Sequence, residues 1–264
     1  MKIGFLGCGQ MGGALARAVR RADPAAVILL VDADAKKRDA LAAEISAKTA
    51  EADTMLREAD YVFLGLKPQV LPTALGELSE AIAASRATFV SMAAGVTLAT
   101  LGTLLGDAPI IRIMPNTAVL VGAGMTVFTA SPRVSANAKA DFLFLMSASG
   151  RCDEIAEGMI DAACALSGCG PAFAYTFLEA LADAGVECGL PRASALAYAA
   201  ATIEGAMRMV SETGTHPAAL RDAVCSPGGS TIAGVHAMED KGLRAAAMAA
   251  VTAAFQRTKE LSKG

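Results

Sequence analysis

The chain has only two histidines, His216 and His236, and neither stands in ligand spacing with any of the six cysteines, Cys8, Cys152, Cys164, Cys169, Cys188 and Cys225. No Cys-x-x-Cys pair occurs, so no metal site is expected and the thiols read as free in a reducing compartment. Basic runs are also missing. A formal net charge of −3 leaves no field to draw in a phosphate backbone, which argues against nucleic acid as a partner. Charged residues make up 19% of the chain against 54% hydrophobic ones, with a mean hydropathy of +0.45, which excludes disorder and points to apolar surface buried between subunits. The N-terminus shows no cationic start, apolar core and cleavage site, because Lys2 leads directly into a strand-like run. A cytoplasmic protein with no membrane partner is expected. The uncharged stretch from Ala87 to Gly106 has the length of a membrane span, but Gly95, Gly102 and four threonines interrupt it. Its front, ATFVSMAAG, reads as a buried parallel strand running into a loop. No GxSxG elbow, P-loop or Cys-His pair is present, so nothing is placed for covalent attack.

The order of the residues that are present is informative. A chain of 264 residues sits where one hydrophobic core usually gives way to two domains. From Met1 to about Ile155, short apolar runs alternate with helical patterns: KIGFL then Met11 to Arg21, VILLVD then Lys36 to Ile45, YVFLGL then Val70 to Ala83. TFVSM, PIIRIM and MTVFTA continue the series, which predicts βαβ units and a mainly parallel sheet. After Gly158 no strand-length β-branched run recurs, and Ala, Leu and Met fall at helical spacing from Met159 to Leu261. Breaks at Gly168–Pro171, Gly189–Pro191, Gly214–Pro217 and Pro227–Gly229 divide this all-α half. Its alanine-rich stretches suit close helix-helix packing, some of it between subunits.

Gly7, Gly9 and Gly12 form GCGQMG immediately after the first strand and open an amphipathic helix. That context makes them a Rossmann-type fingerprint: a tight turn, room for a pyrophosphate and close helix-strand contact. Asp32 ends the second strand about twenty residues on, where a carboxylate accepts from a ribose 2′-hydroxyl and favours NAD. Lys36, Lys37 and Arg38 follow within a helical turn and suit the 2′-phosphate of NADP, so these residues leave the choice open. Lys67, stiffened by Pro68, follows the third strand at the ligand-binding edge of the sheet, and reads either as a functional cation or as a solvated loop residue. SMAAG and RIMPNT end strands at the same edge, with Asn116 and Thr117 also readable as turn formers. In the helical half, Ser226 to Thr231 (SPGGST) can form an anion-binding nest before a helix, or a plain capped turn. Hydride transfer from a nicotinamide is the natural reaction for such a layout.

Taken in order, FLGCGQMG, LKPQ, SMAAG, RIMPNTAVLVGAG, SGCGPAF and SPGGSTIAG resemble the pyrroline-5-carboxylate reductase family nearly end to end. The stretch VCSPGGSTIAGVHAME is the most specific of these and favours the binding reading of the SPGGST loop. The resemblance implies an α/β fold with an N-terminal Rossmann-type dinucleotide-binding domain, residues 1–156, followed by an all-α C-terminal dimerisation and substrate domain, residues 157–264. It implies NAD(P)H-dependent reduction of L-1-pyrroline-5-carboxylate to L-proline, the last step of proline biosynthesis. NADPH is the implied cofactor, with NADH the alternative. The implied assembly is a homodimer that can build a ring of dimers. Gly7, Gly9, Gln10, Met11 and Gly12 would hold the pyrophosphate. Leu66, Lys67, Pro68, Met92, Ala93 and Ala94 would line the path to the nicotinamide, with Asn116 beside it. Ser226, Gly228, Gly229, Ser230 and Thr231 would bind the pyrroline ring and its carboxylate. Thr231 and Lys67 are the catalytic candidates.

The chain also departs from the family. Ala118 stands where relatives usually carry Pro, Ser230 where Thr or Ala is common, and Asp32 where many carry a neutral residue followed by a basic one. A 6-phosphogluconate-type dehydrogenase shares the layout but needs a helical-domain Lys that GCGPAFAYTFLE lacks. A non-catalytic dinucleotide-binding paralogue is opposed by the intact SPGGST loop.

Overall fold

The computed structural model describes residues 1–261. The sheet half runs β1 (Lys2–Leu6), α1 (Gln10–Ala22), β2 (Val27–Val31), α2 (Ala35–Ile45), β3 (Lys48–Thr49), α3 (Ala52–Glu58), β4 (Tyr61–Leu64), α4 (Leu71–Glu77), α5 (Ser79–Ala84), β5 (Thr88–Ser91), α6 (Leu98–Leu105), β6 (Ile110–Met114), β7 (Gly124–Ala130), α7 (Ala136–Met146) and β8 (Gly150–Glu154). These strands form one sheet in the order β3-β2-β1-β4-β5-β6-β7-β8, parallel throughout except between β6 and β7. The order reverses between β1 and β4, which is where an open α/β sheet leaves a crevice at its carboxyl edge.

Successive strand side chains point to opposite faces, and the two layers of core obey that rule. Ile28, Leu30, Tyr61 and Phe63 join Phe5 and Leu15 in one apolar cluster, whereas Leu29, Val62 and Leu64 join Leu71, Leu75 and Leu101 in the other. Phe5 and Phe63, neighbours across β1 and β4, stack with ring centroids 4.7 Å apart. Both faces of the sheet are therefore covered, and the strands read as continuous apolar runs rather than alternating ones.

The uncharged stretch runs as expected from the buried strand β5 into a loop after Ser91; beyond that loop Thr97 caps α6 by accepting from the Thr100 N–H at 3.1 Å, so the apolar run from Leu98 is a helix. Two details of the expected series differ. The helix expected from Val70 to Ala83 breaks into α4 and α5 at Leu78. The strand MTVFTA runs antiparallel to β6, a direction that periodicity does not encode.

The rest of the chain is helical: α8 (Ile160–Ala163), a π-turn over Cys164–Gly168, α9 (Gly170–Glu187), α10 (Arg192–Thr213), α11 (Pro217–Ala223), α12 (Ser230–Asp240) and α13 (Leu243–Leu261). Contacts divide the described residues into two compact units, one of Met1–Cys169 with residues 254–261, the other of Gly170–Ala253. In the second unit α9 and α10 pack together, and a Cβ placed on Gly185 would lie 3.1 Å from that of Ala195, so small residues set how closely these helices approach. Tyr175, Tyr198, Met207 and Met248 are each more than 60% exposed in the single chain. Among the described residues no helix is long and apolar enough to cross a membrane.

Candidate active site

The glycine loop sits at the reversal of strand order. Gly7 donates its N–H to the Val31 carbonyl and Gly65 donates to that of Leu6, each at 2.8 Å, so the ends of β1, β2 and β4 are laced together. Gly7 has φ +104°, a value that strains any residue bearing a Cβ. A Cβ on Gly12 would lie 2.2 Å from the Gly7 oxygen, and one on Gly65 would lie 2.6 Å from the same atom. Gly65 was not singled out in the sequence, although it follows YVFL directly and closes this three-glycine contact.

Gly9 differs from its neighbours. Its φ of −64° suits any residue and nothing lies within 4 Å of where its Cβ would stand, so the protein itself has no need of glycine there. Beyond it begins α1, whose first bond runs from the Gly13 N–H to the Gly9 oxygen at 2.7 Å. The N–H groups before Gly13 have no carbonyl four residues back. No side chain caps this helix end and no acidic residue lies in its first turn. Free donors, the positive end of a helix dipole and an open approach over Gly9 fit a pyrophosphate.

Asp32 follows β2 directly. One carboxylate oxygen accepts from the Cys8 N–H at 2.5 Å and the other from the Asp34 N–H at 2.8 Å. Asp34 caps α2 and pairs with Lys37 at 3.0 Å, while Arg38 pairs with Asp39 at 2.9 Å. Burial pushes the Cys8 thiol up to about 12, with the charge of Asp32 adding to it, so this cysteine is no nucleophile.

After β4, the Lys67 carbonyl accepts from the Val70 and Leu71 N–H groups at 3.0 and 3.1 Å, starting α4 and leaving the Lys67 side chain exposed at the sheet edge beside Leu66 and Pro68. After β5, Met92 is half-buried, Ala93 is buried and Ala94 is exposed, with Gly95 turning the chain at φ +75°. The structure thus gathers the glycine loop, Lys67 and the SMAAG turn along one edge of the sheet, at the ends of β1, β4 and β5.

Asn116 is bound on both sides of its amide. Its oxygen accepts from the Met125 N–H at 3.2 Å and its nitrogen donates to the Ser167 carbonyl at 3.0 Å. The residue four beyond Ser167 is Pro171, which has no N–H, so the helix cannot satisfy that carbonyl and Asn116 does. Arg112 was also missed as an anchor. With 4% of its side chain exposed, it pairs with Glu157 at 3.0 Å and with Asp161 at 3.7 Å, and the same Glu157 oxygen accepts from the Leu98 N–H at 2.6 Å. A basic residue inside an apolar strand was the available signal, since a buried guanidinium demands counter-charges.

In the second unit, the SPGGST loop turns through Gly228 at φ +70°, and Gly229 begins α12 with no side-chain cap and no acidic residue in the first turn. Thr176, Thr202, Thr213 and Thr252 spend their hydroxyls on carbonyls four residues back. Thr231, exposed in the first turn of α12, has no such bond, and the Ser230 and Ser226 side chains are exposed beside it. The loop offers backbone donors and unspent hydroxyls in a form suited to a carboxylate.

Residues 157–261 match the family described as "Pyrroline-5-carboxylate reductase dimerisation", and residues 2–95 match "NADP oxidoreductase coenzyme F420-dependent". The chain is 41% identical to the pyrroline-5-carboxylate reductase of Escherichia coli (strain K12), covering 99% of this chain and 98% of that protein. It is 39% identical to the Arabidopsis thaliana enzyme, with 99% and 96% covered. Among solved structures, that of the Coxiella burnetii reductase superposes with a TM-score of 0.90 at 32% identity, over 99% of this chain and 98% of the other. The NADP-bound reductase of Plasmodium falciparum gives 0.87 at 28% identity, again over 99% and 98%. With 41% identity over 99% of its length to one pyrroline-5-carboxylate reductase and a matching dimerisation region, the chain belongs to the pyrroline-5-carboxylate reductase family.

Proposed function

We propose that the chain reduces the imine bond of L-1-pyrroline-5-carboxylate to give L-proline at the expense of NADPH or NADH. The observation that carries this reading is the start of α12, where Gly228 turns the chain, Gly229 closes the turn by donating to the Ser226 carbonyl, no side chain caps the helix, and the hydroxyls of Ser226, Ser230 and Thr231 have no partner among the described residues. Backbone N–H groups there hold the substrate carboxylate, as a helix N-terminus holds any small anion. When bound, the reduced nicotinamide supplies a hydride. Gly7, Gly9, Gln10, Met11 and Gly12 hold its pyrophosphate, and Leu66, Pro68, Met92, Ala93 and Ala94 line the way to its ring. Lys67, exposed and in no ion pair among the described residues, adds the positive charge. Thr231 donates a hydrogen bond to the imine nitrogen, which makes the adjacent carbon a better acceptor. A threonine hydroxyl is too weak an acid to surrender its proton outright, so it orients the imine or ends a water relay, and the rate comes mainly from positioning.

Residues 157–264 act as the dimerisation and substrate half in this reading, and the exposed apolar residues of α9, α10 and α13 are covered by a second copy, in a homodimer that can extend to a ring of dimers. The test is loss of reduced-nicotinamide absorbance on adding pyrroline-5-carboxylate, with NADPH and NADH compared. Oxidation of neither would sink the assignment.

A further inference from the structure

We infer that Asp32 makes this chain prefer NADH over NADPH. This rests on the nicotinamide-binding reading of the glycine loop, not on the identity of the imine. The carboxylate stands at the end of β2, next to the strand whose end carries the glycine loop, and it is tied to that loop through the Cys8 N–H at 2.5 Å. Each of its oxygens accepts one protein N–H, from Cys8 and from Asp34. A carboxylate has about four acceptor positions, so each oxygen keeps one for a ribose hydroxyl. A 2′-hydroxyl donates to it. A 2′-phosphate brings two negative charges against a charge that cannot move away, because both oxygens are held by backbone.

Nearby cations do not offset that charge. The segment from Asp32 to Asp39 carries three carboxylates, Asp32, Asp34 and Asp39, against Lys36, Lys37 and Arg38. Lys37 is paired with Asp34 at 3.0 Å and Arg38 with Asp39 at 2.9 Å. Only Lys36 has no ion pair among the described residues, and it is exposed, where a single lysine competes poorly for a dianion against salt.

The experiment is a fluorescence titration of the intact protein with NADH and with NADPH, in the absence of any imine, on the wild type and on Asp32→Asn, Asp32→Ser and Arg38→Ala. The wild type should bind NADH at least about tenfold more tightly than NADPH. Both Asp32 variants should move the ratio of the two affinities toward NADPH by about tenfold or more, while Arg38→Ala leaves NADPH binding within about twofold. Asp32→Ser guards against a folding defect peculiar to the Asn variant. Equal or tighter wild-type binding of NADPH would overturn the inference, as would an unchanged ratio in both Asp32 variants or a tenfold loss of NADPH binding in Arg38→Ala. Tight NADH binding without turnover of pyrroline-5-carboxylate would leave the role of Asp32 standing and refute the proposed reaction instead.

Discussion

The Asn116 amide nitrogen donates to the Ser167 carbonyl at 3.0 Å and thereby replaces the helical N–H that Pro171 lacks. The same side chain accepts from Met125, so one residue joins the end of β6, the start of β7 and the π-turn leading into α9. Removing it leaves a carbonyl and an N–H without partners. Asn116→Ala should cost about 2 kcal/mol, a fall in Tm of roughly 6 °C. Asn116→Asp, which keeps the shape but replaces the donor with a negative charge, should be at least as damaging. Thermal melts of the two variants check this, and an Asp variant as stable as the wild type would exclude the donor role.

The glycines of GCGQMG should separate into two classes. Gly9→Ala meets open space at an ordinary φ, so Tm should hold or rise slightly, whereas affinity for the reduced dinucleotide should fall by about tenfold or more. Gly12→Ala drives a methyl into the Gly7 oxygen and should lower Tm by several degrees. Melting curves read beside dinucleotide titrations distinguish a glycine kept for the ligand from one kept for the fold.

Thr231→Ala should lower kcat by about a hundredfold while leaving the dinucleotide Kd within about twofold, with Thr231→Ser retaining most of the rate. Steady-state kinetics combined with cofactor titration tests this, and wild-type turnover in the Ala variant would remove Thr231 from the mechanism.

Alkaline pH should destabilise the fold. Burial first, and then Asp32 and Asp153 respectively, push the thiols of Cys8 and Cys152 up to about 12. Burial followed by Asp141 and Asp60 takes the Tyr61 hydroxyl, which donates to the Ala138 carbonyl at 2.7 Å, to about 12 as well. In the unfolded chain these groups ionise near 8.5 and 10. Between those values and about 12 the native state binds more protons than the unfolded one, so its stability falls as pH rises. The contribution is complete below about pH 8. Melts at pH 8 and pH 10.5 should show the drop, and Cys152→Ala should make it shallower.

What was legible in the sequence were the elements with strong local signals. KIGFL, VILLV, YVFL and IIRIM are buried on both faces and announce themselves as apolar runs, and each Gly-Pro or Pro-Gly break in the second half falls at a helix boundary. The elements that escaped are those whose sequence is set by position at an edge. β3 is only Lys48–Thr49, and β8, GRCDE, is a polar edge strand carrying an Arg151–Asp153 pair, so neither has an apolar signature. The glycine fingerprint and the SPGGST loop were readable because both lie in unbroken stretches. The Asn116 clamp and the Arg112 pairs were not, because their partners lie 51 and 45 residues away and only folding brings them together.

The guanidinium of Arg112 also decides where this protein can be cut. A fragment ending ahead of Glu157 would keep a cation with 4% of its side chain exposed and lose both of its counter-charges, an arrangement that costs several kcal/mol. A fragment carried through Cys169 keeps Glu157, Asp161 and the carbonyl that Asn116 holds. The cut that spares these contacts therefore lies inside the helical sequence, fifteen residues past Glu154, where the last strand ends, and the compact unit it bounds also takes in α13 from Ala254.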